Sequence, residues 1–131
     1  MSWVAVFAVF IVCHLVGDFL FQTDWQARHK HGGLGGDPVR RRALVSHVLT
    51  YGVAFVPALV WIGLETELWR AVMAAIVILA PHLIQDDGRL LDDYMVRVKG
   101  PGSVESVGLR IACDQSFHAL ALFGAALLVV A

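Results

Sequence analysis

The sequence is poor in charged residues and in cysteine. Charged residues make up 16% of the 131 positions, whereas hydrophobic residues make up 58%. A soluble domain carries roughly 25% charged residues, and a soluble chain of this length could not bury so much apolar surface in one small core. The composition therefore excludes a soluble globular protein and a disordered chain, and it indicates that the solvent is a lipid bilayer.

The charge balance and the cysteine count exclude two further classes of protein. The formal net charge of −1 provides no basic field that would attract the phosphates of a nucleic acid. The 2 cysteines are too few for a disulfide scaffold. The glycine-rich run at 32–36 lacks the Gly-Lys-Ser/Thr ending of a phosphate loop, and no nucleophile elbow or zincin helix motif is present. Any site must therefore be sought among single polar residues.

Four segments are long and apolar enough to cross a bilayer, which takes roughly 20 residues. They run over about 2–23, 43–64, 68–85 and 107–131. Each is predicted to be helical because lipid offers no partners for open backbone groups. The first segment lacks the basic start and the cleavage site of a signal peptide, so we expect it to be retained. The predicted fold is all-α: a four-transmembrane-helix bundle, formed by 1–131 as one domain of a polytopic membrane protein.

The basic residues predict an orientation in the membrane. Of the 10 Lys and Arg residues, all but Arg70 lie in the polar linkers 24–42 and 88–106 or at Arg110. The positive-inside rule places both linkers in the cytoplasm and both termini outside the cytoplasm. The run Arg40-Arg41-Arg42 is then either a topology anchor or a site for lipid headgroups.

Histidine is distributed in an unusual way. Each predicted span contains one: His14, His47, His82 and His118. Ionisable residues inside spans are rare and usually functional. The other two, His29 and His31, fall in the first linker, where we expect them to face water.

Three of these histidines have an acid four residues away. The pairs are His14 with Asp18, His82 with Asp86, and Asp114 with His118. A spacing of four places both side chains on one helix face. With the orientation above and a rise of ~1.5 Å per residue, the three pairs and His47 lie in the cytoplasmic half of the membrane. Helices packed in a bundle could aim them at one point.

Three carboxylates that meet in a medium of low dielectric constant repel one another. Either they take up protons and pair with the histidines, or a divalent cation lies between them. Imidazole and carboxylate together suit Zn, Mn or Fe. The predicted ligands are His14, Asp18, His47, His82, Asp86, Asp114 and His118. We expect Asp18 or Asp114 to act as a general base.

Other polar residues have more than one interpretation. Gln22 and Gln115 either orient ligands or bridge helices by hydrogen bonds. We expect Asp87, Asp92 and Asp93 to be solvated near the membrane surface. A single His–Asp pair can also be a buried hydrogen-bonded pair that only fixes helix packing.

Taken in order, the motifs resemble a bacterial family of small integral membrane proteins, the domain of unknown function 3307 family. They are H-x-x-x-D-F-x-x-Q beginning at His14, the lone His47, H-x-x-x-D beginning at His82 and D-Q-x-x-H beginning at Asp114. The resemblance extends along nearly the whole chain. It implies a four-helix fold in the bacterial inner membrane, and it implies no activity.

Three functions compete at this stage. The first is a metal-dependent, hydrolase-like enzyme that acts on a lipid-linked or amphipathic substrate, with membrane lipid as its partner and no role for nucleic acid. The second is a transporter of protons or metal ions, which would need a homo-oligomer because four helices are few for a carrier. The third is an accessory membrane subunit whose polar core only specifies packing. Confinement of the polar residues to one half of the membrane favours the enzyme.

Overall fold

The computed structural model describes all 131 residues, and it contains helices and no strands. The α-helices are α1 (Trp3–Leu15), α2 (Asp24–His29), α3 (Pro38–Glu65), α4 (Leu68–Asp86), α5 (Arg89–Tyr94) and α6 (Val107–Val130). A π-helical turn (Val16–Phe21) extends α1, a second one (Met95–Lys99) extends α5, and a 3-10 turn (Pro101–Glu105) precedes α6.

The predicted all-α, four-helix architecture is confirmed. Four helices are long and apolar enough to cross a membrane: Trp3–Phe21, Pro38–Glu65, Leu68–Asp86 and Val107–Val130. Large apolar side chains such as Val12, Leu49 and Leu64 are exposed on the outside of the bundle. That surface suits contact with lipid, since an exposed apolar area of this extent is rare on a soluble monomer.

Capping residues set the helix boundaries. The side chain of Asp37 accepts hydrogen bonds from the backbone N–H groups of Val39 and Arg40, and Pro38 occupies the first helical position, where its missing N–H costs nothing. Helix α3 therefore begins at Pro38, whereas the sequence predicted a start near residue 43. The Arg40-Arg41-Arg42 run lies in the first turns of α3.

The interior of the bundle is divided along its length. At one end an apolar core contains the fully buried Phe10, Phe55, Ile62, Ala74 and Ala125. The opposite end, which we call the polar end, carries α2 and α5. There the last turns of the first and third spans meet the first turns of the second and fourth. This antiparallel arrangement brings distant parts of the sequence to one level.

Asp87 corrects one prediction, because the side chain is only 4% exposed rather than solvated. Its Oδ1 accepts a hydrogen bond from the Leu34 backbone N–H at 2.7 Å, and its Oδ2 accepts one from Nε of Arg89 at 2.6 Å. The Asp87 carbonyl accepts from the N–H of Gly32 at 2.8 Å. Burial alone would raise the pKa of the Asp87 carboxyl, but the hydrogen bonds from Arg89 and Leu34 outweigh it and lower that pKa. Asp87 thereby fastens the first linker to the end of α4.

We expect the substitution Asp87→Ala to lower the free energy of unfolding by about 1–3 kcal/mol, because it removes the hydrogen bonds that the buried carboxylate accepts from Leu34 and Arg89. The folded-state pKa of Asp87 lies below the unfolded value. The stabilisation is therefore fully present above the unfolded value of roughly 3.9 and is lost as the pH falls through the folded-state pKa. Thermal unfolding in detergent checks this, and the difference between wild type and variant should shrink in acid. Asp93→Ala is the control, because Asp93 is exposed and bridges only Arg97; equal losses in both variants would contradict the account.

Candidate metal centre

The local structure of the first span presents an acid to the bundle interior. Helix α1 ends at Leu15, and Asp18 lies in the π-helical turn that follows. Such turns are rare and occur often at functional sites. Nδ1 of His14 lies 3.6 Å from Oδ2 of Asp18, so this predicted pair meets. The other two pairs also meet: Nε2 of His82 lies 3.3 Å from Oδ2 of Asp86, and Nδ1 of His118 lies 3.7 Å from Oδ2 of Asp114.

Four of the predicted ligands form a buried group, which we call the first group: Asp18, His47, His82 and Asp86. One ligand atom from each lies within 4.8 Å of the others. The two imidazole Nε2 atoms are 3.2 Å apart, and Oδ1 of Asp18 lies 3.3 Å from that of His47 and 3.5 Å from that of His82. Tetrahedral coordination with bonds of ~2.0–2.1 Å would hold neighbouring ligand atoms about 3.3 Å apart. These three spacings therefore match those around one small cation, whereas Nε2 of His47 lies at hydrogen-bond distance, 2.6 Å, from Oδ2 of Asp86.

A second group shares Asp86 and adds Asp114 and His118. Nδ1 of His118 must donate its proton to the Asp114 backbone carbonyl at 2.9 Å, because a carbonyl only accepts. In the neutral ring, Nε2 then carries a lone pair. It lies 3.4 Å from Oδ1 of Asp86, and it is buried without a hydrogen-bond partner. Two lone pairs that face each other in a buried site need a proton or a cation between them.

His14 lies outside both groups. The side-chain nitrogen of Gln115 donates to Oδ2 of Asp114 at 3.2 Å. The side-chain oxygen of Gln115 therefore faces His14 and accepts a hydrogen bond from its Nε2 at 2.9 Å. The Tyr51 hydroxyl then donates to Nδ1 of His14 at 3.1 Å. Both ring nitrogens are therefore used, and His14 connects Tyr51 to Asp114 through Gln115.

Gln22, the other predicted orienting residue, lies against the far side of a first-group histidine. Its side-chain amide is 3.4 Å from Nδ1 of His47, whose Nε2 belongs to the first group. A ligating imidazole carries its proton on the far nitrogen, so in a metal-bound state the Gln22 amide would turn its oxygen towards Nδ1 and fix the orientation of the ring. Gln22 and Gln115 thus each touch a different histidine of the polar end.

Sequence reasoning missed Tyr51. Its ring stacks on the ring of His82 with centroids 3.5 Å apart and planes 8° apart. Tyr51 follows His47 by four residues on the same helix, so the spacing rule that found the His–Asp pairs could also have found it.

Lys30 was assigned only to membrane topology, and the structure gives it a further contact. Its ammonium Nζ lies 2.7 Å from Oδ2 of Asp86, and its side chain is 18% exposed. No local pattern could have revealed this contact, because it depends on the first linker folding back over the end of the bundle.

Close packing beside Asp18 leads to a prediction about Gly17. A Cβ atom added there would lie 2.5 Å from Cδ2 of Tyr51, whose ring is held between His14 and His82. We expect Gly17→Ala to lower the free energy of unfolding by about 1–3 kcal/mol, because the ring cannot retreat without moving a histidine. Thermal unfolding in detergent measures this.

The matched control is Gly124→Ala in α6, where no atom lies within 4 Å of the added Cβ. That variant should be as stable as wild type, or more stable by up to ~1 kcal/mol. A Gly17→Ala protein as stable as the Gly124→Ala protein would contradict the packing described here.

Comparison with known proteins identifies the family. Searches of curated proteins and of solved structures find no match. A family profile described as "Protein of unknown function (DUF3307)" matches residues 6–130, which include every member of both groups. Because this match covers nearly the whole chain, the protein belongs to the DUF3307 family.

Proposed function

We propose that the protein is a membrane-embedded, divalent-metal-dependent hydrolase that acts on a lipid-linked or amphipathic substrate. The observation that carries this proposal is the convergence of the first group, with two imidazole nitrogens and two carboxylates at ligand spacing. Oδ1 of Asp18 is buried there without a hydrogen-bond partner. A buried carboxylate oxygen without a donor is costly unless a cation satisfies it.

The charges at the polar end support a divalent ion. Three acids belong to the two groups: Asp18, Asp86 and Asp114. Lys30 is the one permanent cation among their direct partners. With neutral histidines, two negative charges remain uncompensated. A divalent cation would neutralise both without requiring any histidine to be protonated.

The donor set narrows the choice of ion. Two imidazoles and two carboxylates suit Zn, Mn or Fe. When bound, such an ion would activate a water molecule as a nucleophile, which requires a coordination position beyond the four side chains. His47 and His82 would hold the ion from α3 and α4, and Asp18 and Asp86 would complete the set. Asp86 also faces Lys30, whose ammonium competes for the same carboxylate oxygen and would keep that carboxylate oriented.

Asp114 is the residue best placed to act as the general base. Its side chain is 27% exposed, compared with 7% for Asp18 and 2% for Asp86, so it alone of the three acids can reach a substrate. Gln115 donates to its carboxylate, and His118 lies beside it. These two contacts would hold the carboxylate in place while it accepts a proton. Asp18, buried among the ligand atoms, then acts as a ligand rather than as a base.

The shape of the bundle favours an enzyme over a transporter. A conduction path needs polar groups along the whole bundle. The interior beyond the polar end is instead filled by apolar side chains, including Phe10, Phe55 and Ile62. A one-sided site suits a substrate that stays in one leaflet. By the positive-inside rule this is the cytoplasmic leaflet of the bacterial inner membrane, with both termini on the opposite side.

The metal centre predicts that protein purified in nonionic detergent contains a stoichiometric divalent ion, measured by elemental analysis. His47→Asn and His82→Asn should each lose most of it, because each removes a ligand. His29→Asn is the control: His29 is exposed and contacts only the Trp25 carbonyl through its Nδ1, so the metal should stay. Metal-free wild type, or full metal content in His82→Asn, would overturn the proposal and favour protonated histidines or a structural polar core.

The proposed role of Asp114 predicts that a substitution there removes activity without removing the metal. Asp114→Asn should keep its metal and lose hydrolysis by roughly 10²–10⁴-fold, because the amide cannot accept the proton. The assay uses chromogenic amphiphiles, namely nitrophenyl esters of long-chain carboxylic and phosphoric acids. Asp93→Asn, at an exposed position, serves as the control and should be fully active. Full activity in Asp114→Asn would exclude it as the base.

A further inference from the structure

Two cavities adjoin at the polar end. The first, which we call the groove, has a volume of about 420 Å³ and is lined mainly by apolar residues of α4, α5 and α6. The second, which we call the basic pocket, has a volume of about 360 Å³ and lies under the first linker. Both are lined by Gln85, Leu91 and Asp114. Each volume falls in the range of small-molecule sites, and the two cavities share a wall but differ in the chemistry of their linings.

The groove is built to take an alkyl chain. Its walls include Pro81, Ile84, Leu90, Tyr94 and Phe117. Tyr94 and Phe117 pack edge to face with centroids 5.0 Å apart. Ile84 and Leu90 are exposed on the outer surface of the bundle. A chain could therefore enter sideways from the membrane without first passing through water.

The basic pocket is lined by both cationic and acidic side chains. Lys30, His31 and Arg110 line it, together with the acids Asp86 and Asp114. Lys30 pairs with Asp86. Outside the lining, Asp92 pairs with Arg110 and, at 2.7 Å, with His31.

A divalent ion in the proposed metal centre would change the net charge around the basic pocket. A divalent cation bound to Asp86 shares that carboxylate with Lys30, so the ammonium can also donate to another anion. With the ion bound, the charges of the three acids, Lys30 and the ion sum to zero, so the basic pocket no longer repels an anion. Phosphate fits it best, because guanidinium and ammonium groups both form charge-assisted hydrogen bonds to phosphate oxygens.

From this juxtaposition we propose that the substrate is a phosphorylated amphiphile, with its alkyl chain in the groove and its phosphate in the basic pocket against Lys30 and Arg110. The inference rests on the proposed function, because the metal ion supplies part of the positive charge. Asp114 lines both cavities, so it lies where the headgroup and the chain of such a molecule meet. The general base is thus placed beside the bond that joins them.

The test is native mass spectrometry of the protein released from nonionic detergent, because one spectrum reports both bound metal and bound amphiphile. The probe is monododecyl phosphate, with inorganic phosphate and dodecanol as the head-only and chain-only ligands. We expect one dodecyl phosphate per protein, bound about tenfold or more tightly than either fragment, since a charge-assisted hydrogen bond contributes roughly this factor.

Two variants locate the ligand. Arg110→Gln should weaken binding of dodecyl phosphate about tenfold, whereas Arg97→Gln should not, because Arg97 is exposed and bridges only Asp93. Ala80→Trp should block the groove, which Ala80 lines from an exposed position. Its control is Ala5→Trp, at an exposed position on α1 that lines neither cavity.

The outcomes separate this inference from the proposed function. Equal binding of dodecanol would exclude the phosphate site, and equal binding of inorganic phosphate would exclude the groove. Stoichiometric metal without any binding of dodecyl phosphate would overturn the substrate class and leave the metal centre intact. Binding to a metal-free wild type, lost in Arg110→Gln and Ala80→Trp, would support the amphiphile site and overturn the metal centre.

Discussion

The structure depends on charge compensation around Asp86. This carboxylate is nearly inaccessible, and cationic or imidazole groups surround it on every side: Lys30 at 2.7 Å, His47 at 2.6 Å, His82 at 3.3 Å and His118 at 3.4 Å. Burying an ionised carboxylate without partners would cost several kcal/mol. Because Asp86 belongs to both ligand groups, its partners draw together α3, α4, α6 and the first linker. The arrangement of the polar end therefore compensates the charge of one buried carboxylate, that of Asp86.

The two linkers supply charged residues to the polar end in addition to connecting the helices. The first linker places Lys30 against Asp86. A few residues further along this linker, the Leu34 backbone N–H donates to the Asp87 carboxylate and so attaches the linker to the end of α4. The second linker supplies Asp92, which bridges His31 and Arg110. Beyond this layer the interior of the bundle is filled by apolar side chains. A buried group of imidazoles and carboxylates, a partly exposed carboxylate and two adjoining cavities therefore occur together at one end.

The hydropathy pattern and the spacing of four predicted the four long helices and the three His–Asp pairs, because both depend on residues close in sequence. The short helices α2 and α5 lie in segments that were expected to be linkers. Helix α3 begins at Pro38, before the predicted span, because the Asp37 cap and Pro38 start it within the segment that was expected to be a linker. Asp87 was wrongly expected to be solvated, because nothing local shows that a loop folds onto it. Lys30 was missed for the same reason. The spacing of four could also have identified Tyr51, which follows His47 by four residues, but only acids were considered at that spacing.

The most direct test of the account is X-ray absorption spectroscopy of the metal bound to the purified protein. The account predicts a coordination shell of nitrogen and oxygen alone, with two imidazoles at about 2.0–2.1 Å and no sulfur. The absence of any bound transition metal, or a shell containing the sulfur of Cys13 or Cys113, would contradict it.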